Sequence, residues 1–220
     1  MAKIKIAVLS LISAPLYFSL VILGWGSWRS YFADPARSGL VVVLVGLCIA
    51  AALTNSSGIG PGVREDKSNR WVLAPLILGG MVMPWLMAYL DRHNECVWGG
   101  EYARWIGLVI CLIGGCLRLA PVFVLGRRFS GLVAIQPGHT LETGGLYKYI
   151  RHPSYLGLIT CAFGWALVFR CLVPGLIMTA LLLIPLVARM NSEERLLVDQ
   201  FGEEYASYKK RTWRMAPWIY

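Results

Sequence analysis

Polar residues that could do chemistry gather in one part of an otherwise apolar chain. A polar segment runs from Gln136 to Ile150, and Arg151-His152-Pro153-Ser154-Tyr155 follows it directly. Two of the three histidines, His139 and His152, lie in this part of the sequence. Proline restricts the residue before it to extended conformations and suits the first turn of a helix. We therefore expect His152 at a helix start, where free backbone N–H groups favour an anionic ligand.

The composition indicates an integral membrane protein. Hydrophobic residues make up 57% of the 220 residues and charged residues only 15%, and the mean hydropathy is +0.59. These values exclude an ordinary soluble domain. The long apolar segments leave no room for a separate soluble domain, so loops and helix ends must build the active region. The sequence predicts one all-α membrane domain over residues 1–220, a polytopic helical bundle with a cofactor pocket on its cytosolic side.

Six membrane crossings are expected. The region 1–125 holds four transmembrane helices, predicted at Ile4–Trp25, Gly39–Leu53, Trp71–Leu90 and Tyr102–Leu125. The region 126–220 is the expected catalytic region, with a C-terminal tail. Its apolar run is too long for one span and is interrupted by Arg170, Pro174 and Gly175. It is therefore predicted to form a helical hairpin over residues 155–188.

The distribution of positive charge predicts orientation and excludes one class of partner. Most of the 21 lysines and arginines fall on one side of the predicted spans, and cytoplasmic loops carry such an excess. We expect both termini in the cytoplasm. The charges are spread over loops rather than gathered with aromatic residues in a soluble module, which argues against nucleic acid as a partner. Without a recognisable targeting or retention signal, the protein is expected in a prokaryotic inner membrane, in contact with membrane lipid.

The six cysteines predict no metal site. None stands in a C-x-x-C or Cys/His spacing typical of zinc, and we expect no bound metal. Cys96 and Cys171 are both expected on the outer side, so a disulfide between them is geometrically conceivable and is left open.

From Gln136 to about Pro217 the sequence resembles the isoprenylcysteine carboxyl methyltransferase family, integral membrane enzymes that use S-adenosylmethionine. The resemblance is carried by the order and spacing of several short elements around the apolar hairpin. These elements are Gln136, His139-Thr140-Leu141-Glu142, Gly145 with Tyr147, Arg151-His152-Pro153-Ser154-Tyr155, Glu193-Glu194, Phe201-Gly202-Glu203-Glu204-Tyr205 and Tyr208-Lys209-Lys210-Arg211. The first 125 residues match only in being membrane spans.

The resemblance implies an S-adenosylmethionine pocket and assigns residues to it. The cofactor-binding positions are Gln136, His139, Thr140, Leu141, Glu142, Tyr147, His152, Pro153, Ser154, Tyr155 and Glu193. Arg189, one helical turn before Glu193, is placed at the methyl acceptor. Arg189, Arg151 and His152 are the expected catalytic residues. The implied acceptor is a lipophilic small molecule or a prenylated substrate.

The residue types themselves suit methyl transfer. Transfer from a sulfonium neutralises a cation, so alignment in a dry pocket matters more than acid or base. Glu193 could accept hydrogen bonds from ribose hydroxyls or an ammonium, and Arg189 could hold a carboxylate with two N–H groups. A carboxylate acceptor is ionised at neutral pH, whereas an amine or thiol needs a base, for which His152 is the nearest candidate. Cation–π or stacking contacts could come from Tyr147, Tyr155 and Tyr205.

Several of these residues also have a simpler structural interpretation. Arg189 and Glu193 are four residues apart and could be an ion pair on one helix face. Arg151 could anchor a lipid phosphate. Arg118, inside the fourth predicted span, either reaches towards the interface or lines a substrate cavity. An interfacial aromatic belt could consist of Tyr205, Tyr208, Trp213 and Trp218.

Three functions remain open from the sequence. The first is carboxyl O-methylation of an isoprenylcysteine-type or other lipid-like substrate. The second is a phospholipid, amine or thiol methyltransferase of the same architecture. The third is a nicotinamide-dependent sterol-type reductase. The lack of a G-x-G-x-x-G turn does not exclude the reductase, but Glu193-Glu194 and the match around His139 favour S-adenosylmethionine.

Overall fold

A computed structural model describes residues 15–54 and 62–217. Its helices are α1 Pro15–Trp25, α2 Trp28–Phe32, α3 Pro35–Ala52, α4 Leu73–Arg92, α5 Glu101–Leu125, α6 Pro153–Val168, α7 Leu172–Phe201 and α8 Glu203–Lys210. Short 3₁₀ segments cover Lys67–Val72, Gly126–Arg128 and Gly145–Lys148. Two short strands, β1 Arg64–Glu65 and β2 Ala134–Ile135, pair antiparallel. The fold is therefore all-α, as the sequence predicts.

Four helical segments are long and apolar enough to cross a membrane, which makes this a multi-pass membrane protein. They are Pro35–Ala52, Lys67–Arg92, Glu101–Arg128 and Leu172–Phe201. Two apolar helices, α1 and α6, are shorter. The first predicted span, Ile4–Trp25, begins outside the described residues, and α1 covers its second half.

The C-terminal hairpin is present as α6 and α7. His152 is the N-cap of α6 and Pro153 its first residue, as expected from the proline. The chain reverses at Arg170, whose φ of 54° lies in the left-handed region. The predicted end of the hairpin at residue 188 is too early, because α7 continues to Phe201. Residues 189–201 are more polar but contain no glycine or proline, and the helix stops only at Gly202, where φ is 53°.

Helices α5 and α6 pack in direct backbone contact. Each carries two glycines seven residues apart, Gly107 and Gly114 on α5 and Gly157 and Gly164 on α6. A Cβ atom at Gly114 would lie 2.5 Å from the backbone nitrogen of Cys161, and one at Gly164 would lie 2.6 Å from that of Cys111. Only glycine permits this approach. The two helices thus form a close pair against which the other helices pack.

A group of buried ions, the hairpin-end cluster, joins four segments where α6 turns into α7. Asp91 accepts from Arg104 at 2.6 Å and lies 2.7 Å from Arg170. Asp34 lies 3.2 Å from Arg104 and 3.6 Å from Arg37. The side chain of Asp91 is completely buried. Because each acid faces two arginines from different segments, the cluster ties α3, α4, α5 and the hairpin turn together.

The thiols of Cys96 and Cys171 are both free, so the disulfide left open by the sequence is not formed. Cys171 is buried and its thiol donates to the carbonyl of Met87.

The opposite end of the bundle is closed by the chain between α5 and α6 and by the C-terminal tail. Val133 and Ile135, from the segment around β2, pack against Leu196 of α7. The backbone of residues 149–152 pairs with that of the tail, where His152 N–H donates to Arg214 and Arg151 N–H to Trp213. These contacts bring the polar segment over the C-terminal part of α7.

Candidate active site

A cavity of about 390 Å³ opens between α4, α5, α6, α7 and the segment that links α5 to α6. Its volume lies in the range of small-molecule sites. One part of its wall is apolar and faces the membrane-spanning helices, with Leu76, Ile77, Leu125, Leu158 and Leu186. Polar and charged residues form the other part. The cavity can therefore hold a molecule that has both an apolar and a charged end.

Most residues that the sequence assigns to the site line this cavity. They are His139, Leu141, Glu142, Tyr147, Arg151, His152, Pro153, Ser154, Tyr155, Arg189 and Glu193. Gln136 and Thr140 are not among its lining residues, which departs from their assignment as cofactor-binding residues. Gln136 is buried under the β1–β2 pair beside Gly62. The hydroxyl of Thr140 is turned outwards and accepts a hydrogen bond from Arg128 at 2.7 Å.

Arg189, Tyr155 and Glu193 form a connected polar group on the cavity wall. Arg189 donates from Nε to the Tyr155 hydroxyl at 2.7 Å, and Tyr155 donates to Glu193 at 2.6 Å. Arg189 and Glu193 are also 3.6 Å apart on the same face of α7. The simple ion pair suggested by their spacing is thus part of a larger network, because Tyr155 from α6 joins it. The network fixes the rotamers of all three side chains.

His152 lies between two carboxylates. Its Nδ1 is 3.4 Å from Glu193 and its Nε2 is 3.2 Å from Glu194. Burial of the ring opposes protonation, but Glu193 and Glu194 outweigh it and hold the pKa of His152 above its ordinary value. The two carboxylates favour the charged form of the ring, which bridges Glu193 and Glu194. This arrangement does not favour His152 as a general base, because both of its ring nitrogens already face carboxylates and not a substrate.

Glu194, the second of the paired acids, is the centre of a buried ion cluster. Its carboxylate lies 3.0 Å from Arg151, 3.1 Å from Lys209 and 3.2 Å from Arg214, besides His152. Its side chain is almost fully buried but is not part of the cavity wall. We name these residues the pocket-end cluster.

Arg151 is occupied by this cluster. Its Nη1 group donates to the backbone carbonyls of Lys209 and Thr212, while Nε donates to Glu194. The guanidinium of Arg151 thus holds the C-terminal tail beside the cavity wall, and its expected catalytic role stays a prediction. The side chain of Arg151 is only 10% exposed, which does not favour the alternative of a lipid-phosphate anchor.

Arg118 is a site residue that the sequence left undecided. Its side chain lines the cavity and donates to the hydroxyl of Ser154. That hydroxyl in turn donates to the backbone carbonyl of Arg118 at 3.2 Å. The structure thus selects the cavity over a position at the interface. The signal in the sequence was its isolation as a charge within an apolar span.

Two further polar residues of the wall have buried atoms without a hydrogen-bond partner in the part of the chain that the structure describes. They are Nδ1 of His139 and the hydroxyl of Tyr205. Burial, with Arg128 nearby, lowers the pKa of His139, so its ring is neutral at pH 7. Tyr205 and Tyr208 are 1% and 3% exposed, which excludes them from an interfacial aromatic belt. Trp213 is 41% exposed and fits such a belt, and Trp218 lies outside the described residues.

Within residues 15–54 and 62–217, no three His, Cys, Asp or Glu side chains are grouped so that they could hold a metal ion.

Comparisons with known proteins place this geometry in context. The model of the isoprenylcysteine carboxyl methyltransferase (ICMT) family matches residues 105–199. The protein-S-isoprenylcysteine O-methyltransferase of Homo sapiens is 35% identical over 141 residues, which are 61% of this chain and 50% of that protein. The Mus musculus enzyme is 35% identical over 115 residues, 51% of this chain and 41% of that protein.

A probable protein-S-isoprenylcysteine O-methyltransferase of Oryza sativa subsp. indica is 30% identical over 162 residues, 70% of this chain and 85% of that protein. The chain thus spans half or less of the length of the mammalian relatives but most of the rice protein. The solved eukaryotic intramembrane Ras methyltransferase ICMT is similar in fold, with a TM-score of 0.54 and 20% identity over 91% of this chain and 68% of that chain.

Proposed function

This chain belongs to the isoprenylcysteine carboxyl methyltransferase family, and on that premise we propose that it transfers a methyl group from S-adenosylmethionine to a carboxylate on a lipophilic acceptor. An isoprenylcysteine-type substrate, free or at the end of a prenylated protein, is the acceptor class that the cavity suits best. The observation that carries this proposal is the presence of Arg118 and Arg189 in the wall of a largely apolar cavity.

Both arginines keep N–H donors for a ligand. Arg118 uses Nη1 for Ser154, and Arg189 uses Nε for Tyr155 and Nη2 for the carbonyl of Gly131. Within the described part of the chain their other guanidinium nitrogens have no hydrogen-bond partner, and none of these nitrogens is a fully buried atom. Guanidinium groups with free donors bind carboxylates strongly. An isoprenyl chain would lie along the leucines of the apolar wall.

The polar wall fits the methyl donor. Glu193 is held by Tyr155 and His152, so its carboxylate is fixed for contacts with ribose hydroxyls or an ammonium. His139 offers a buried ring nitrogen without a partner, as expected of a group that meets a ligand. Tyr147 adds an aromatic face. When bound, S-adenosylmethionine supplies the electrophilic methyl group.

The protein contributes alignment and exclusion of water rather than proton transfer. A carboxylate acceptor is ionised at neutral pH and attacks without a base. Arg118 and Arg189 would orient it, and the apolar wall would exclude water that competes for the methyl group. An amine or thiol acceptor would need a base, and both ring nitrogens of His152 are engaged by the carboxylates of Glu193 and Glu194. The geometry therefore favours carboxyl methylation over the amine and thiol alternatives, and family membership removes the support for a nicotinamide-dependent reductase.

The orientation and cellular location belong to the same proposal. The segment between α5 and α6 and the C-terminal tail are rich in arginine and lysine, which supports a cytosolic position for the pocket end and both termini. Cysteine labelling from outside intact cells should reach a cysteine placed beside Arg170 but not one placed beside Lys210. The prokaryotic inner membrane stays a prediction, and the relatives quoted above are eukaryotic.

The experiment that tests the function uses two matched acceptors. Purified protein is given S-adenosylmethionine labelled in the methyl group with S-farnesyl-N-acetylcysteine, or with its carboxamide. Label should pass to the acid and not to the amide, and mild base should release it from the product, because a methyl ester is hydrolysed. Label that resists base, or equal labelling of the amide, would contradict carboxyl methylation.

A further inference from the structure

Tyr205 is a buried tyrosine of the cavity wall whose hydroxyl has no hydrogen-bond partner within residues 15–54 and 62–217. The residue lies in the first turn of α8 and is 1% exposed. Its ring lines the cavity, and its oxygen is buried without a hydrogen bond. Folded proteins pair nearly all such groups, since an unmade hydrogen bond in the interior costs free energy. A polar group left unpaired beside a cavity indicates a ligand that completes it.

A neighbouring residue of the same type shows that α8 does not impose this condition. The rings of Tyr205 and Tyr208 are 5.8 Å apart. The hydroxyl of Tyr208 donates to the carbonyl of Tyr147 at 2.7 Å. Both tyrosines are buried in the same short helix, yet among the described residues only the Tyr208 hydroxyl has a hydrogen-bond partner. The pair therefore offers a natural control.

The charges around Tyr205 have both signs. Burial raises the pKa of Tyr205, and Glu194 raises it further, so the hydroxyl stays protonated and can both donate and accept. The positive charge of Arg151 lowers the pKa of Tyr205 and so partly opposes these effects. Glu194 and Arg151 are paired with each other at 3.0 Å. The Tyr205 hydroxyl is thus an uncommitted polar group in a mixed electrostatic field.

Another part of the cavity wall is apolar and aromatic. Val133, Ile135 and Leu196 line it, and the ring of His139 stands 5.8 Å from that of Phe201. This part suits a flat purine, whereas the region of Tyr205 suits a group that carries both an ammonium and a carboxylate.

We propose that the Tyr205 hydroxyl hydrogen-bonds the amino-acid end of the methyl donor. This inference rests on the proposed use of S-adenosylmethionine and adds a binding residue to its site. The hydroxyl can donate to the α-carboxylate or accept from the α-ammonium, and either bond supplies the partner that the ligand-free protein lacks. Tyr205 acts here as a cofactor-binding residue, and nothing in the reaction requires it to exchange a proton.

The first test is the stability of the ligand-free protein in detergent. Tyr205→Phe removes an unpaired hydroxyl and should leave the Tm unchanged or raise it. Tyr208→Phe removes a made hydrogen bond and should lower the Tm. If Tyr205→Phe lowers the Tm as much as Tyr208→Phe does, the hydroxyl has a partner within the protein and the inference is wrong.

The second test measures binding of two ligands by calorimetry. S-Adenosylhomocysteine carries the amino-acid end, and 5′-methylthioadenosine lacks it. Tyr205→Phe should weaken S-adenosylhomocysteine about tenfold, the effect of one hydrogen bond, and leave methylthioadenosine unchanged. Tyr208→Phe should leave the ratio of the two affinities as in the wild type.

The outcomes separate this inference from the proposed function. An equal loss for both ligands in Tyr205→Phe would move the contact to the ribose or adenine and overturn the assignment. An unchanged affinity for both would remove Tyr205 from the site while the proposed function stands. If the wild-type protein binds neither ligand, the proposed use of S-adenosylmethionine fails, and the Tyr205 assignment fails with it.

Discussion

The two ends of the helical bundle both contain buried arginines near carboxylates, but they differ in whether the arginines keep hydrogen-bond donors that the described protein does not use. Arg104 at the hairpin end and Arg118 at the pocket end stand on the same helix α5, about 21 Å apart along its axis. In the hairpin-end cluster, the buried Asp91 pairs with two arginines, Arg104 and Arg170. No residue of this cluster lines the cavity. At the pocket end, Arg118 and Arg189 keep unused donors that face a cavity.

This difference shows how a binding site is recognised in a membrane protein. Buried charge alone does not identify it, because the hairpin-end cluster is as deeply buried as the site. Hydrogen-bonding capacity that the protein does not use, next to an open volume, does identify it. We therefore expect changes at the hairpin end to affect stability and changes at the pocket end to affect ligand binding and activity.

The largest effect is expected from breaking the hairpin-end cluster. Asp91→Asn leaves Arg170 without its buried counter-charge and Arg104 with Asp34 alone, and should lower the free energy of unfolding by about 3–5 kcal/mol. Chemical unfolding in detergent measures this. Asp199→Asn is the control, because its pair with Arg64 is half exposed and such pairs contribute about 0–1 kcal/mol. The folded fraction of Asp91→Asn should bind S-adenosylhomocysteine normally, and weakened binding there would show that the two ends are not independent.

Arg189→Lys should affect activity instead. Lysine keeps the charge but loses the planar pair of donors, so kcat/KM for a carboxylate acceptor should fall about 100-fold, or roughly 2.7 kcal/mol. Affinity for S-adenosylhomocysteine should change little. Steady-state kinetics and calorimetry give the two values. Full activity in Arg189→Lys would rule out the two-point contact, and the same comparison in Arg118→Lys tests the other arginine.

The paired glutamates separate binding from stability within the pocket end. Glu193→Gln should weaken S-adenosylhomocysteine binding by about 1–3 kcal/mol, because this carboxylate lines the cavity. Glu194→Gln should lower the Tm more than Glu193→Gln does, because it removes the buried negative charge that pairs with Arg151, Lys209 and Arg214. A larger loss of binding in Glu194→Gln than in Glu193→Gln would reverse the roles given to them.

The smallest expected effect is a pH dependence. His152 faces Glu193 and Glu194 of α7, with Arg151 beside it and the ring of Tyr155 stacked at 5.5 Å. Its pKa is raised in the folded protein, so its contribution is complete below the unfolded pKa of about 6.5 and is lost as the pH rises through the folded value. The stability difference between wild type and His152→Gln should therefore shrink as the pH rises above about 6.5, which chemical unfolding at a series of pH values measures. A difference that grows with pH would mean that His152 is neutral in the fold.

The sequence predicts the helical class and the hairpin because these follow from local signals. Pro153 marks the start of α6 and the charge at Arg170 marks the turn. Hydropathy predicts too early an end for α7, because it shows where the chain becomes polar and not where the helix stops. The absence of glycine or proline before Gly202 is the better signal. The division of the chain as one domain over residues 1–220 stays a prediction.

The site was predictable where a short motif fixes the side chain and unpredictable where distant residues decide. His152, Tyr155 and Glu193 lie on the cavity wall as the motif implies. The role of Arg151 depends on Glu194 and Thr212, which are 43 and 61 residues away in the chain. Such contacts leave no trace in local spacing. Whether Arg118 lies at the membrane interface or in the cavity wall likewise depends on how α5 packs on α6.

The glycine contact between α5 and α6 has a consequence for how sequence variants of this protein are interpreted. A Cβ atom at Gly157 would collide with the backbone of Arg118, so even alanine there would act as a spacer and move that arginine away from Ser154. Such a variant would keep every chemical group and still lose activity. A damaging substitution at Gly114 or Gly157 should therefore be attributed to displaced geometry and not to a glycine that takes part in the reaction.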